Sequence, residues 1–367
     1  MIKKIEPIKD FTLKYPLEKI AYIEDILFFD IETTGFTANS AYLYMIGCAY
    51  NASGEWYTIQ WLAESYEEEQ QVVEAFVSFA RTYAVFIHFN GNNFDIPFII
   101  KKLEKYNIDF DFTGYDGVDI YRRVSPYKYF LKLPNCKLKT IEEYLGCNRE
   151  DELSGRDLIN VYHEYVKDKD EEKGKLLLLH NHDDLKGMLE ILPILGVYDM
   201  FNTLPAIHKV AINHYKDHHL AEKKELFMCL DLATPLPAPI SANARSCFFK
   251  GEENYITLRV PVYEGELKYF YSNYKDYYYL PNEDVALHKS VSSFIDKDYR
   301  IPATAATCYT RKESRYLPQW SEQFVPFFKK EFKGHELFFE ITDELKRDKD
   351  AFSKYALMVI NMIASDY

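Results

Sequence analysis

Residues 26–33, Ile-Leu-Phe-Phe-Asp-Ile-Glu-Thr, leave this chain few ways to fold. Four apolar residues run straight into two carboxylates, Asp30 and Glu32, and Thr33-Thr34-Gly35 breaks the run. A continuous apolar segment closed by a turn signal reads as a buried central strand. Residues two apart on a strand project to the same side, so Asp30 and Glu32 point together. Two like charges side by side in a core repel and are costly to desolvate. A divalent cation removes that cost, and oxygen-only ligands favour Mg²⁺ or Mn²⁺ over softer metals. Taken alone, the same Asp-x-Glu fits an inert, solvated strand end. Further carboxylates downstream decide between the two.

The chain has 367 residues, enough for two domains or one with a substantial appendage. With 47% hydrophobic and 28% charged residues it is globular rather than disordered. A net charge of −13 argues against a protein that coats polyanions nonspecifically, but it leaves room for local basic patches. Six scattered cysteines without a Cys-x-x-Cys fit reduced thiols in the cytoplasm better than a disulfide frame or a zinc site. The N-terminus carries no apolar leader, and no window reaches the length of a membrane span. A soluble, cytoplasmic protein with no membrane partner is expected.

Along the chain, residues 41–50 and 56–62 suggest a hairpin partnering the first strand, with turn residues at 51–54. Helical spacing appears over 64–81, and 84–89 reads as a second buried strand. That strand delivers Asn90-Gly91-Asn92-Asn93-Phe94-Asp95, where Asn-Gly and Asn-Asn are turn chemistry. Asp95 opens a helix with Pro97 in its first turn, which also fits a simple dipole-favoured acid. Residues 117–123 form a strand-to-helix segment, and 138–145 a helix capped by Gly146. Arg122, Arg123, Lys128, Lys132, Lys137 and Lys139, interleaved with Tyr121, Tyr127, Tyr129 and Phe130, suit a single-strand channel or a solvated face. Helices over 153–166 and 175–192 flank a charged linker at 167–173. In the second, His180 and Asp184 are four apart and share a face; His182 falls on the other side.

Together the chain offers Asp30 and Glu32 on one strand, Asp95 after a second, and Asp184 on a helix with His180 one turn before it. In these motifs it resembles the DEDD superfamily of 3′–5′ exonucleases, and more narrowly the bacterial YprB-type ribonuclease H-like proteins. Asp30-Ile31-Glu32-Thr33-Thr34-Gly35 matches the first family motif, Asn90 to Asp95 the second, and His180 to Leu185 the third. The resemblance covers residues 20–200 and implies a ribonuclease H-like mixed sheet flanked by helices. It implies Asp30, Glu32, Asp95 and Asp184 as metal ligands for two Mg²⁺ or Mn²⁺ ions, with His180 as general base. Thr33, Asn90 and Asn93, with Arg122 and Arg123 of the basic and aromatic stretch, are candidate nucleic-acid contacts, with DNA or RNA as substrate. In that family the water-orienting residue is a tyrosine four positions before the last Asp or a histidine five before. Here a histidine stands four before. Two divalent ions ~3.5–4 Å apart activate a water and stabilise the leaving oxygen in such sites. Asp30 bridging, Glu32 and Asp184 completing the first site, and Asp95 holding the second is the expected division. A ribonuclease H-type endonuclease and a catalytically silent binding module are the rival readings.

The resemblance stops before the C-terminal third. Residues 201–224 read as helical, with His208, His214, His218 and His219 on mixed faces, and three prolines in 232–239 end a connector over 201–239. From Tyr255 the period becomes two, so 255–263, 266–272 and 276–280 read as an antiparallel meander within a 240–367 α+β accessory domain. Its tyrosines, with nearby Lys and Arg, suit either a strand-binding surface or half-buried sheet packing. Amphipathic helices are expected at 324–332 and 352–363.

Overall fold

The apolar run becomes strand β2 at the centre of a mixed sheet. The computed structural model describes residues 1–9, 11–147, 155–216, 219–292 and 294–367. Its first unit comprises Met1–Asp199 with Leu236–Ala238. Here β1 (Ile2–Pro7), β2 (Ile26–Thr33), β3 (Leu43–Ala52), β4 (Glu55–Leu62), β5 (Val85–His88) and β6 (Asp116–Asp119) form one sheet in the order β1-β4-β3-β2-β5-β6. The β3–β4 hairpin pairs antiparallel with β2, whereas β5 and β6 join in parallel, as their intervening helices require. The helices are α1 (Glu69–Ala80), α2 (Asp95–Tyr106), α3 (Ile120–Val124), α4 (Leu138–Leu145), α5 (Gly155–Asp168), α6 (Glu171–Glu190) and α7 (Leu195–Asn202).

Strand alternation on β2 divides its work. Leu27, Phe29 and Ile31 join the core built with Val73, Phe76 and Val77 of α1. Phe29 lies 5.6 Å from the ring of Phe76 and 5.9 Å from Phe86, and burying one such side chain contributes about 1.5–3 kcal/mol. The other face carries Phe28, Asp30 and Glu32, and α6 packs there. Its approach depends on Gly47, which pairs with Asp30 on one side and Gln60 on the other. A Cβ at Gly47 would overlap Asn181 Oδ1 and stand 2.8 Å from Leu185 Cδ1. The missing side chain lets Asn181 reach between its neighbours, donating to Asp30 Oδ2 at 3.1 Å and accepting from Gln60 Nε2 at 3.0 Å. The α2 helix is fixed by buried Glu69, which accepts from Lys102 at 2.8 Å, Lys105 at 2.7 Å and the Leu43 amide at 2.6 Å. Burial pushes the Glu69 carboxyl up, but these hydrogen bonds outweigh it and hold the group below its ordinary range.

The charged stretch 167–173 is not a linker. α5 runs to Asp168, α6 begins at Glu171, and Asp170 caps it by accepting from the Glu172 amide at 2.9 Å. The charges at 167–168 and 171–173 sit on the helices, and only Lys169 and Asp170 join them. The expected start of α5 at 153–154 lies outside the described residues.

The second unit comprises Met200–Pro235 and Pro239–Tyr367. Its first stretch, read as a helix, is a strand pair: β7 (Ala206–Lys216) and β8 (Glu222–Asp231). Val210 and Ile212 recur at a two-residue period beside Leu226 and Met228, and that pairing overrides the helical spacing read in the sequence. His208 stands 3.5 Å from Asp231 and His214 pairs in register with Lys224, so these two are spread along a strand; His219 lies in the turn before β8, and His218 lies outside the described residues. With β9 (Ile240–Ala244), β10 (Cys247–Glu252) and β11 (Tyr255–Pro261) they form a five-stranded antiparallel sheet.

The expected meander is also absent as such. β12 (Tyr263–Phe270) leaves that sheet to pair with β16 (Tyr309–Gln319), which continues to β18 (Leu337–Glu340) and β17 (Phe327–Phe328). β13 (Tyr277–Leu280) pairs with β14 (Val285–His288) and β15 (Ile301–Pro302) in a third sheet, followed after β14 by the short α8 (Lys289–Ser292). The tyrosines largely pack on one another, Tyr271 stacking on Tyr277 at 4.9 Å and meeting Tyr269 edge-on at 5.2 Å. No helix forms at 324–332: Pro326 lacks the amide a helix needs, and Gln319 binds both backbone groups of Phe324. α9 (Lys349–Ser365) closes the unit as expected. Among the described residues no helix is long and apolar enough to cross a membrane.

Because Gly47 is the gap that admits Asn181, Gly47→Ala should destabilise the protein by about 1–3 kcal/mol through overpacking. Urea denaturation checks this, and an unchanged midpoint would contradict the account.

Candidate active site

Every carboxylate singled out in the sequence reaches the carboxyl end of β2. Asp30, Glu32, Asp95, His180 and Asp184 line one cleft of about 760 Å³, with Asn90, Asn93 and the rings of Phe36, Phe94 and Tyr121 around it. Asp30 and Glu32 arrive there by strand alternation. Asp95 arrives as the first residue of α2, and the Ile31 amide donates to its Oδ1 at 3.2 Å. That bond ties the second motif to the first. α6 brings the third: His180 Nε2 stands 3.3 Å from Asp184 Oδ2 and 3.6 Å from Glu32 Oε1. Glu32, His180 and Asp184 each offer a ligand atom within 4.8 Å of the others.

Two residues that the sequence reading passed over hold this geometry. Asn181, fully buried, bonds Asp30 as described above. Asp119, at the end of β6, accepts from the amides of Asn90 at 2.9 Å, Asn92 at 3.3 Å and Arg122 at 3.2 Å. It thereby fixes the turn before Asp95 and caps α3 with one carboxylate. Beneath that turn, His88 Nδ1 accepts from the Gly91 amide at 3.1 Å, and burial pushes the imidazole down to about 4, so it is neutral. A Cβ on Gly91 would stand 2.7 Å from the ring, which leaves glycine the natural occupant. Neither Asn181 nor Asp119 sits in a pattern that marks it; one is embedded in a leucine-rich helix and the other ends a four-residue strand.

The candidate nucleic-acid contacts divide. Arg122 reaches the cleft edge, donating from Nη2 to Asn93 Oδ1 at 3.2 Å, and Lys137 and Lys139 line the cleft itself. Arg123 instead packs over the ring of Tyr198 at 4.9 Å, and Thr33 donates its hydroxyl to Gly35 O at 2.9 Å, closing the turn after β2. His182 faces the opposite side of α6, 2.9 Å from Thr58 Oγ1.

Crowding of acids shows in their protonation. Burial pushes the Asp30 carboxyl well above its ordinary range, and the charges of Asp184, Asp95 and Glu32 push it further, against the Asn181 amide. Asp95 is pushed up to about 7, by burial first and by Asp119 and Asp184, against the Ile31 amide. Among the described residues no lysine or arginine forms an ion pair with Asp30 or Asp95. An oxygen-rich donor set with one imidazole and this concentration of negative charge fits hard divalent cations.

Both carboxyls bind their protons more tightly folded than unfolded. Their contribution to stability is therefore complete at acid pH and is lost as pH rises through the folded values, over a window from about 4 to about 7 for Asp95. The chelator-treated protein should melt at a lower temperature near pH 8 than near pH 5, and Asp95→Asn should flatten the difference. Calorimetry in chelator at both pH values tests this; an equal slope in the variant would contradict it.

Residues 27–195 match the RNase_H_2 model of the RNase_H superfamily. A search of curated proteins finds no match. Among solved structures, the chain is similar to the family B DNA polymerase from the archaeon Pyrobaculum calidifontis, at 15% identity over 72% of this chain and 39% of that one, with a TM-score of 0.38. It is also similar to a zinc-bound complex of E. coli exonuclease I with single-stranded DNA, at 11% identity over 57% of this chain and 55% of that one, TM-score 0.28. The chain thus spans about two fifths to just over half the length of these proteins. Residues 27–195 form a ribonuclease H-like domain.

Proposed function

We propose that the protein is a metal-dependent 3′–5′ exonuclease of the DEDD type, akin to the YprB-type proteins, that hydrolyses phosphodiester bonds of DNA or RNA. The observation that carries this reading is the convergence of Asp30, Glu32, Asp95 and Asp184 with His180 in one cleft of a ribonuclease H-like domain. In this reading the four carboxylates hold two divalent cations, Mg²⁺ or Mn²⁺. Such cations, when bound, offset phosphate charge and lower the pKa of water. Asp30, whose proton affinity burial and the nearby charges of Asp184, Asp95 and Glu32 raise, would be among the residues that hold them. His180 takes the proton of the attacking water, its Nε2 oriented between Glu32 and Asp184. Four-residue spacing puts the imidazole on the face of α6 that carries Asp184, so this register serves the role. Phe36, 90% exposed, meets Phe94 at 6.2 Å on the lip of the cleft, where rings can stack on a terminal base. Six free cysteines support a cytoplasmic location.

The test is strand shortening with 3′- and 5′-end-labelled single-stranded DNA and RNA in Mg²⁺ or Mn²⁺. The wild type should give a ladder receding from the 3′ end, and Asp30→Asn should lose more than about a hundredfold in rate, as loss of several kcal/mol of charge stabilisation implies. Internal fragments would favour a ribonuclease H-type endonuclease, and intact substrate that still binds would favour a silent binding module.

Mn²⁺ should also raise the melting temperature of wild type but not of Asp30→Asn. His180→Gln should lower the rate by about 10²–10⁴ while keeping the Mn²⁺ shift. If that shift disappears, His180 is a ligand and not the base.

A further inference from the structure

We propose that the second unit carries its own subsite for one nucleotide of a single strand, separate from the carboxylate cleft; this rests on the nuclease reading. The second unit contains a pocket of about 730 Å³, a size that suits a nucleotide. Lys223, Arg245 and Lys330 line it against one acid, Glu336, with His335 beside them. In a chain of net charge −13, that local excess of cations is complementary to phosphate. The walls are aromatic, with Trp320 and Tyr215 among them. Trp320 is only partly buried here, whereas Trp56 and Trp61 are buried in the first unit. Cations that follow a backbone beside rings that receive bases are what sequence-tolerant strand binding requires.

Three details sharpen the assignment. Lys223 lies exposed on β8 and forms no ion pair among the described residues. Lys330 stands 5.5 Å from the ring centres of both Tyr263 and Phe338, and its 2.7 Å pair with Glu336 is half-exposed, a weak contact that a phosphate displaces. Arg245 is held by Asp366, which accepts from Nη2 at 2.9 Å and Nε at 3.0 Å; Nη1 makes no hydrogen bond among the described residues. The lip itself is strained. Arg245 and Ser246 alone connect β9 to β10, with φ of 47° and 64°. A two-residue turn with both residues left-handed ordinarily takes Asn-Gly.

Binding is measured by fluorescence anisotropy of labelled oligo(dT) and oligo(rU) with the full chain in chelator, so that cleavage does not interfere. Trp320→Ala should weaken binding about five- to a hundredfold, the loss of one stacked base. Lys223→Gln and Lys330→Gln, both at exposed positions, should each lower the log–log salt slope by about 0.7, the loss of one phosphate contact. All three should shorten the run of nucleotides removed per encounter, yet leave hydrolysis of the p-nitrophenyl ester of thymidine 5′-phosphate unchanged. A preference for dT or rU assigns the strand as DNA or RNA. Wild-type affinity and salt slope in the lysine variants would overturn the subsite even if cleavage proceeds normally. Variant-sensitive binding by a wild type that cleaves nothing would uphold the subsite and remove the nuclease reading instead.

Discussion

The site depends on one packing constraint: a sheet has to present acids to a helix at close range without the strands between them standing in the way. Gly47 meets it. Its position in register between Asp30 and Gln60 leaves a notch one side chain deep, and Asn181 fills that notch with a hydrogen bond to each neighbour. The amide satisfies a carboxylate that would otherwise be buried beside three other acids, and the same contact sets the height of α6 on the sheet. Packing and electrostatics are here one interaction, because the group that seats the helix also tempers the charge.

The second motif is held in the same economical way. Asp95 is bound to the backbone of β2 through the Ile31 amide, and the turn before it is bound to β6 through Asp119. Behind both, Glu69 and Lys102 fix α2 to α1 within the core. Strand, turn and helix are joined by buried hydrogen bonds rather than by surface ion pairs, so the carboxylates stay close together against their own repulsion.

The first unit was largely legible in the sequence because its signals are strong and local. The apolar run of β2, the Asn-Gly turn before Asp95 and the four-residue spacing of His180 and Asp184 each state a geometry. The supporting residues were not legible. Asn181 acquires its meaning only from Gly47, 134 positions away in the chain, and no periodicity links them. In the second unit β12 pairs with the distant β16, while β7 and β8 form a hairpin of adjacent strands whose local spacing was misread as helix over residues 201–224. Strand propensity is settled by partners, and partners are what a single sequence hides.

α6 carries an imidazole, a carboxylate and a structural amide within five residues, His180 to Asp184. A helix advances 1.5 Å per residue, so a small axial slip moves all three by the same amount and in the same direction. Such a slip would leave the hydrophobic interior nearly intact while taking every one of these groups out of alignment at once. The cleft therefore has the character of a single-lever device, whose geometry is set by the seating of one helix rather than by the independent fidelity of its parts.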